Sequence, residues 1–326
     1  MDRRTLLQGA FGGLVGMSLV PLARAAVPAA TASGTSPASG VATAPTTAIA
    51  PTLTRLNDKL AVVSGVRDNV VALSSGDGLL LVDSGSPGAT STLLTQLRQL
   101  PGGGQVKTLI NTHYHADQTG GNEVFGKAGA TIIAHAKTKE WLATQHYNPQ
   151  EDHYEGGQPK AAWPTQVFYS TGALTAGSEH LEYGHLVSAH TEGDCYVYFR
   201  DSNVLAVGHV ASPVSDPELD WFAGGWLGGR LDALTLLYKL ADDKTRIVPA
   251  FGPVISRSEL QAEHDLLQTV YTRMTDDLRN GFSAQDMLDA GVLNGLARTW
   301  TDPKKFVFDV FKGLWGYQDT IAPNIV

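Results

Sequence analysis

The chain has one cysteine, Cys195, in 326 residues, so no intramolecular disulfide can staple it. Inside the apolar run "CYVYF" a lone cysteine reads as a small buried hydrophobe. Positive charge is also short, with 24 Lys and Arg against 32 Asp and Glu for a net charge of −8. That balance repels phosphate backbones, so nucleic acid is excluded as an expected partner. Charged residues make up only 17% and hydrophobic residues 43%, the ordinary mixture of a soluble globular protein. The length is ample for a full core.

Long apolar runs are scarce as well. The uncharged run over residues 5–23 falls just short of the roughly 20 residues a spanning helix needs. Arg3 and Arg4 precede it and Ala23-Arg24-Ala25 closes it. This is the charged region, apolar region and small-residue cleavage site of a secretory signal, and the paired arginines resemble the twin-arginine type. An uncleaved anchor is the competing reading. The glycines, Pro21 and the cleavage-like site count against it. The expectation is a signal over 1–25, a periplasmic or secreted product, and no stable membrane anchor after cleavage. Removing Asp2, Arg3, Arg4 and Arg24 leaves 21 basic and 31 acidic side chains, an even more acidic product. Residues 26–51 are mostly Ala, Thr, Pro, Ser and Gly, the composition of a linker, and a folded domain is expected over 52–326.

Within that domain a pattern occurs twice. "NVVALSS" and "GLLLVDSG" are short apolar runs around a turn, followed by helical periodicity over 88–100 and the buried run "VKTLIN". "CYVYFRDSNVLAVGH" repeats the hairpin, residues 231–243 the helix, and "TRIVPAF" the strand. The spacing predicts two βα halves packed face to face, strand ends converging on one cleft. Asp83 then matches His209, and His113 matches Phe251, whose side chain is expected to be buried and to point into the same cleft. A long amphipathic helix is expected over 256–278, capped by Ser256 with a Glu three residues later.

Histidine carries the chemistry. In "NTHYHADQTGGN", His113 and His115 stand two apart at a strand end, which puts both imidazoles on one face. His190, in "SAHTEGD", is the candidate third nitrogen. Three histidines with one open position make a catalytic rather than a structural zinc site. His135 is expected to start a helix, and His146 and His153 to lie on a solvated loop over the cleft. His180, His185 and His264 lack partner spacing and read as structural or surface residues. "ELDWFAGGWLGGR" interleaves Trp221, Phe222 and Trp226 with glycines. It reads either as a plug under a loop or as a substrate wall favouring apolar or ring-containing groups.

"HYHADQTGGN", "AHTEGD" and the upstream "LLLVDSG" together resemble the metallo-β-lactamase fold superfamily, over about residues 55–275. The resemblance implies an α/β, four-layer αββα sandwich. It implies that His113, His115 and His190 hold a first metal, that Asp117 is a ligand of a second, and that Asp83 orients the groups around the first. Three positions depart from the pattern usual in hydrolytic members: Gln118 stands for a histidine, His209 for an aspartate or cysteine, and Phe251 for a histidine. All three touch the second metal. Phenylalanine has no lone pair, Gln118 is a better hydrogen-bond partner than ligand, and a neutral imidazole at 209 binds one ion without adding negative charge. One tightly bound zinc is therefore expected, with the second position weak or empty.

The expected activity is zinc-dependent hydrolysis of a small-molecule carbonyl, whether cyclic amide, lactone or other ester. Zinc lowers the pKa of its bound water to about 7, Asp117 holds or deprotonates that nucleophile, and zinc or His209 polarises the carbonyl. The alternative is a non-catalytic zinc-containing binding protein on the same fold; the retained Asp117 favours the enzyme. Replacing Arg3 and Arg4 with lysine should block export, read as precursor retained in the cell. Full export and cleavage of that variant would contradict the twin-arginine reading.

Overall fold

The computed structural model describes residues 50–148 and 152–317. The signal expected over 1–25 and nearly all of the linker over 26–51 lie outside the described residues. Among the described residues no helix is long and apolar enough to cross a membrane.

Two mixed sheets organise the chain. In the first, β1 (Thr52–Arg55), β2 (Leu60–Val66), β3 (Asp68–Ser74) and β4 (Leu79–Val82) pair antiparallel in sequence order. After helix α1 (Thr90–Leu97), β5 (Val106–Ile110) adds parallel to β4. Short helices α2 (Ala116–Thr119) and α3 (Asn122–Lys127) lead to β6 (Thr131–His135), again parallel. Helix α4 (Ala136–Ala143) and a hairpin of β7 (Gln145–Asn148) and β8 (His153–Gly156) precede β9 (Gln166–Phe168), which closes this sheet beyond β6. In the second sheet, β10 (Thr171–Ala176), β11 (Glu179–His185), β12 (Cys195–Phe199) and β13 (Val204–Gly208) are antiparallel. Helix α5 (Leu227–Leu240) carries the chain to β14 (Arg246–Pro249), parallel to β13. Helices α6 (Arg257–Arg279), α7 (Ala284–Asp289) and α8 (Pro303–Gly316) finish the described chain.

Alternation along the strands explains the layering. Leu60, Val62, Val71 and Leu73 pack against Leu181, Val197, Phe199 and Val204 of the other sheet. The intervening Ala61, Val63 and Ala72 turn outward onto Leu93 and Leu97 of α1. On the far side Leu205 and Val207 meet Leu234 of α5, Leu267 of α6 and Val310 of α8. The result is the four-layer αββα sandwich. The two halves share one order, an antiparallel hairpin, a helix and a parallel strand: β3-β4-α1-β5 and β12-β13-α5-β14. Asp83 directly follows β4 and His209 directly follows β13.

Several details differ from the sequence expectation. Helix α5 begins at Leu227 rather than 231, taking two glycines into its first turn. Gly229 is needed there because a Cβ would sit 2.2 Å from the Ser188 carbonyl oxygen. Gln145–Asn148 and His153–Gly156 pair as antiparallel strands rather than lying in a loop. As expected, His135 ends β6 and starts the next helix by capping α4, its Nδ1 accepting from the Lys137 N–H. Ser256 caps α6 with Glu259 in a reciprocal capping box, as expected.

Residues 209–226 run from β13 to α5 across the strand ends, and one buried ion pair fixes this segment. Arg230 of α5 is fully buried and meets Glu263 of α6 at 3.2 Å. Its guanidinium also donates to the Glu218 carbonyl oxygen at 3.0 Å and to Ser212 Oγ at 2.8 Å, while both Glu263 oxygens accept from the Ser212 N–H. Removing one partner strands a charge in the interior. Glu263→Ala should therefore cost about 3–5 kcal/mol in urea denaturation. A loss under about 1 kcal/mol would show that the pair does not hold this segment.

Candidate metal centre

The strand ends bring four imidazoles together. His113 and His115 follow β5, His190 lies in the turn between β11 and β12, and His209 follows β13. Ring centroids of His113, His115 and His190 are all 4.9 Å apart. His209 lies 5.4 Å from His113 and 5.1 Å from His190.

Each ring has one nitrogen committed to a partner facing away from the centre, and this sets its tautomer. Carbonyl and carboxylate oxygens only accept, so the imidazole must donate to them. His190 Nδ1 donates to the Glu218 carbonyl at 2.9 Å, His115 Nε2 to Asp220 Oδ2 at 3.0 Å, and His209 Nε2 to Asp68 Oδ2 at 2.8 Å. His113 Nδ1 lies 3.1 Å from Thr112 Oγ1, whose own proton goes to Asp83 Oδ2 at 2.8 Å. The remaining nitrogens face one another. His113 Nε2 is buried with no hydrogen-bond partner among the described residues, and His115 Nδ1 and His190 Nε2 are 3.0 Å apart. Two lone pairs at that distance repel unless a proton or a cation lies between them.

The electrostatics agree. Burial, then the neighbouring imidazoles, hold His113 and His190 well below the ordinary 6.5, so both are neutral and keep the lone pair a metal needs. Burial would lower His115 too, but the hydrogen bond and charge of Asp220 outweigh it and raise it. Ligand atoms of His113, His115 and His190 all lie within 4.8 Å of one another. An orphaned buried nitrogen and three convergent imidazoles fit a divalent metal of the zinc type.

Asp83 accepts from the Thr112 N–H as well as the hydroxyl. Its own backbone is left-handed, φ 64°, a strained conformation of the kind that collects at functional sites. Burial pushes its carboxyl up to about 7 against those two hydrogen bonds. Gly208 lets Thr112 approach, since a Cβ there would lie 2.8 Å from the hydroxyl oxygen.

Asp117 is placed differently from the expectation for a second-metal ligand. Its Oδ2 pairs with Arg67 Nε at 3.1 Å, and it belongs to neither group of described residues whose ligand atoms lie within 4.8 Å. Burial raises its carboxyl above the usual range, with Arg67 pulling the other way. Gln118 is fully buried and donates through Nε2 to Asp68. Phe251 corrects the sequence reading: it is 38% exposed rather than buried. Strand β14 stops at Pro249, and Asn69 holds the carbonyls of Pro249, Ala250 and Gly252, which fixes a tight turn around residue 251.

The aromatic segment divides. Trp226 does not form a wall: it is 8% exposed in the core and stacks on Tyr317 at 4.4 Å. Trp221 packs under Lys312 of α8, 4.9 Å from ring to ammonium. Phe222 remains exposed, near Trp141 at 6.0 Å and His146 at 6.4 Å. Tyr114 stacks on Trp141 at 5.0 Å and touches His115 at 4.4 Å, tying this aromatic surface to the histidines. His146 is thus part of that surface, not a solvated loop residue.

Sequence reasoning missed Asp68, Asp194, Asp220, Glu218 and Trp141. Asp194 closes the "HTEGD" turn by accepting from the His190 and Thr191 N–H groups at 2.6 and 2.7 Å. Glu218 and Asp220 sit two apart just before Trp221, a signal masked by the aromatics beside them. Asp68 adjoins a turn and carries no motif.

A profile of the metallo-beta-lactamase superfamily matches residues 65–252. The chain is 24% identical over 215 residues to the metallo-beta-lactamase type 2 of Bacillus cereus, covering 65% of this chain and 78% of that protein. Among solved structures it resembles a metallo-beta-lactamase from Pontibacter korlensis, with TM-score 0.54 and 23% identity over 67% of this chain and 99% of the other. It also resembles a stereoselective inverting sec-alkylsulfatase from Pseudomonas sp., with TM-score 0.62 and 14% identity over 82% of this chain and half of that one. With its histidine-rich site at the sandwich's strand ends, the chain belongs to the metallo-beta-lactamase superfamily. Within it, this is a metal-dependent hydrolase.

His115→Ala should remove tightly bound metal and lower Tm, because the ion ties the two halves together. Asp220→Ala should weaken metal affinity about 10–100-fold by freeing the His115 ring. Metal analysis after dialysis checks both; unchanged content in His115→Ala would refute the assignment.

Proposed function

We propose that the protein is an exported zinc hydrolase that opens a carbonyl compound of small size, a cyclic amide, lactone or other ester. The observation that carries this reading is His113 Nε2, buried without a hydrogen-bond partner among the described residues and grouped with the ligand nitrogens of His115 and His190. His113, His115 and His190 would hold the zinc. Bound there, zinc supplies a water acidified to about 7 and a positive charge for the carbonyl oxygen.

The chain's own groups supply the remainder. Asp220, Thr112 and the Glu218 carbonyl keep the three rings turned so that each presents its lone pair. Asp117 lies in the first turn of α2, two residues beyond His115. With its carboxyl raised by burial and oriented by Arg67, it accepts the proton of the attacking water and returns it to the leaving group. His209, its Nε2 held by Asp68, stands beside the centre. The surface of Tyr114, Trp141, His146 and Phe222 takes an apolar or ring-containing part of the substrate. The β-lactamase relatives make a cyclic amide one candidate. The alkylsulfatase is related in fold alone, and its ester is of a different acid.

A panel of chromogenic aryl esters, lactones and β-lactams tests this. Hydrolysis of at least one class should disappear with a chelator and return with zinc. Phe222→Ala should raise KM for the bulkiest apolar substrate by about 10-fold with kcat nearly unchanged, the pattern of lost uniform binding. Zinc-loaded protein inert to every class would overturn the hydrolase reading and leave a zinc-containing binding protein.

A further inference from the structure

Arg67 sits where glycine would fit better. It lies between Val66 and Asp68, which pair directly across the β2-β3 hairpin, and its backbone is left-handed, φ 81°. Glycine adopts that conformation freely, whereas a residue with a Cβ is strained in it. A second left-handed position in the same hairpin, at φ 80°, does carry glycine, Gly65. The Arg67 side chain is 62% exposed, and its one ion pair among the described residues runs from Nε to Asp117 at 3.1 Å. An exposed ion pair stabilises too little to offset such strain. Both terminal nitrogens of the guanidinium are without a hydrogen bond among the described residues.

The turn that carries this guanidinium is fixed to the histidine cluster. Asp68, the next residue, is buried and accepts from His209 Nε2 at 2.8 Å and from Gln118 Nε2. Asn69 follows and donates to the Pro249 and Gly252 carbonyls. Asp117 lies two residues beyond His115 and feels the charges of His115 and His209. Arg67 therefore adjoins the cluster through Asp117, while Tyr114, Trp141 and Phe222 adjoin it through His115. Arg230 also acts on His190 and His209, but it is fully buried and commits its terminal nitrogens to Glu263, Ser212 and the Glu218 carbonyl.

We propose that Arg67 is a specificity residue that receives an anionic group of the substrate, a carboxylate or comparable oxyanion, on its two terminal nitrogens. The inference rests on the proposed hydrolysis at this site and narrows its substrates to small acids that carry an ester, lactone or cyclic amide. The planar fork of a guanidinium matches a carboxylate in two-point contact. Nε keeps Asp117 while the outer nitrogens take the ligand, so the two tasks do not compete. The fixed turn holds the fork in place before the substrate arrives, so little ordering is needed on binding. Contacts at Arg67 and at Phe222 would then fix two separate parts of one substrate.

The experiment compares a free acid with its methyl ester, both from the class that the chromogenic panel shows to be hydrolysed, on zinc-loaded protein. For aryl esters the pair is the mono-nitrophenyl ester of glutaric acid and its methyl ester; for a β-lactam or lactone it is the ring acid and its methyl ester. The parent should favour the acid at least about tenfold in kcat/KM, the size of one charge-assisted contact, with the difference lying in KM. Arg67→Ala should remove that preference, and Arg67→Lys, which keeps the charge but not the fork, should retain part of it. Both variants slow both substrates through Asp117, so the ratio of acid to ester is what is read. Arg67→Gly should lose the preference yet keep Tm at or above the parent's, because glycine relieves the strain. A parent that does not favour the acid, or a preference unchanged in Arg67→Ala, overturns the proposal. So does a fall in Tm of more than about 4 °C in Arg67→Gly, the mark of a structural residue. Protein inert toward every class of substrate would instead overturn the proposed function.

Discussion

Convergent imidazole lone pairs are the constraint on which the rest of the site depends. Burying neutral histidines is tolerable when each ring nitrogen has a partner, and very unfavourable when lone pairs face one another. Here His115 Nδ1 and His190 Nε2 stand 3.0 Å apart and His113 Nε2 is orphaned. The fold has spent its hydrogen bonds on the outward nitrogens. That arrangement is stable only with positive charge at the centre: a proton in the metal-free chain, where Asp220 raises His115, and a metal ion otherwise.

The scaffold makes this possible by converging two βα halves. β4, β5 and β13 end at Asp83, at the "NTHYH" turn and at His209, so residues far apart in sequence meet without any one loop reaching far. The remaining partners come from residues 209–226. Arg230 and Glu263 hold that segment from below, and through it Glu218 and Asp220 hold His190 and His115. Metal affinity is therefore coupled to a buried ion pair in the helical layer. Trp226 and Tyr317 stack within that layer.

Period-two alternation and the repeated spacing made the sandwich legible before the structure. The His-x-His at a strand end made the histidine cluster legible, because strand geometry alone puts both rings on one face. What could not be read were the orienting acids. Asp68, Asp194 and Asp220 act through contacts made across the fold or within a turn, and their residue type is common on any surface. Phe251 was misjudged because strand matching gives position, not direction: Asn69 fixes the turn where a regular strand would have carried the side chain inward. Trp226 stayed open between two readings because aromatic residues among glycines fit a core plug and a binding wall equally well.

The central claim is that three imidazole nitrogens, turned inward by their outward hydrogen bonds, form the first coordination sphere of a bound zinc. X-ray absorption spectroscopy of protein carrying one zinc per chain tests it most directly. The account requires three imidazole scatterers at about 2.0–2.1 Å and one further light atom. A shell dominated by carboxylate oxygen, or one with a single imidazole, would contradict it.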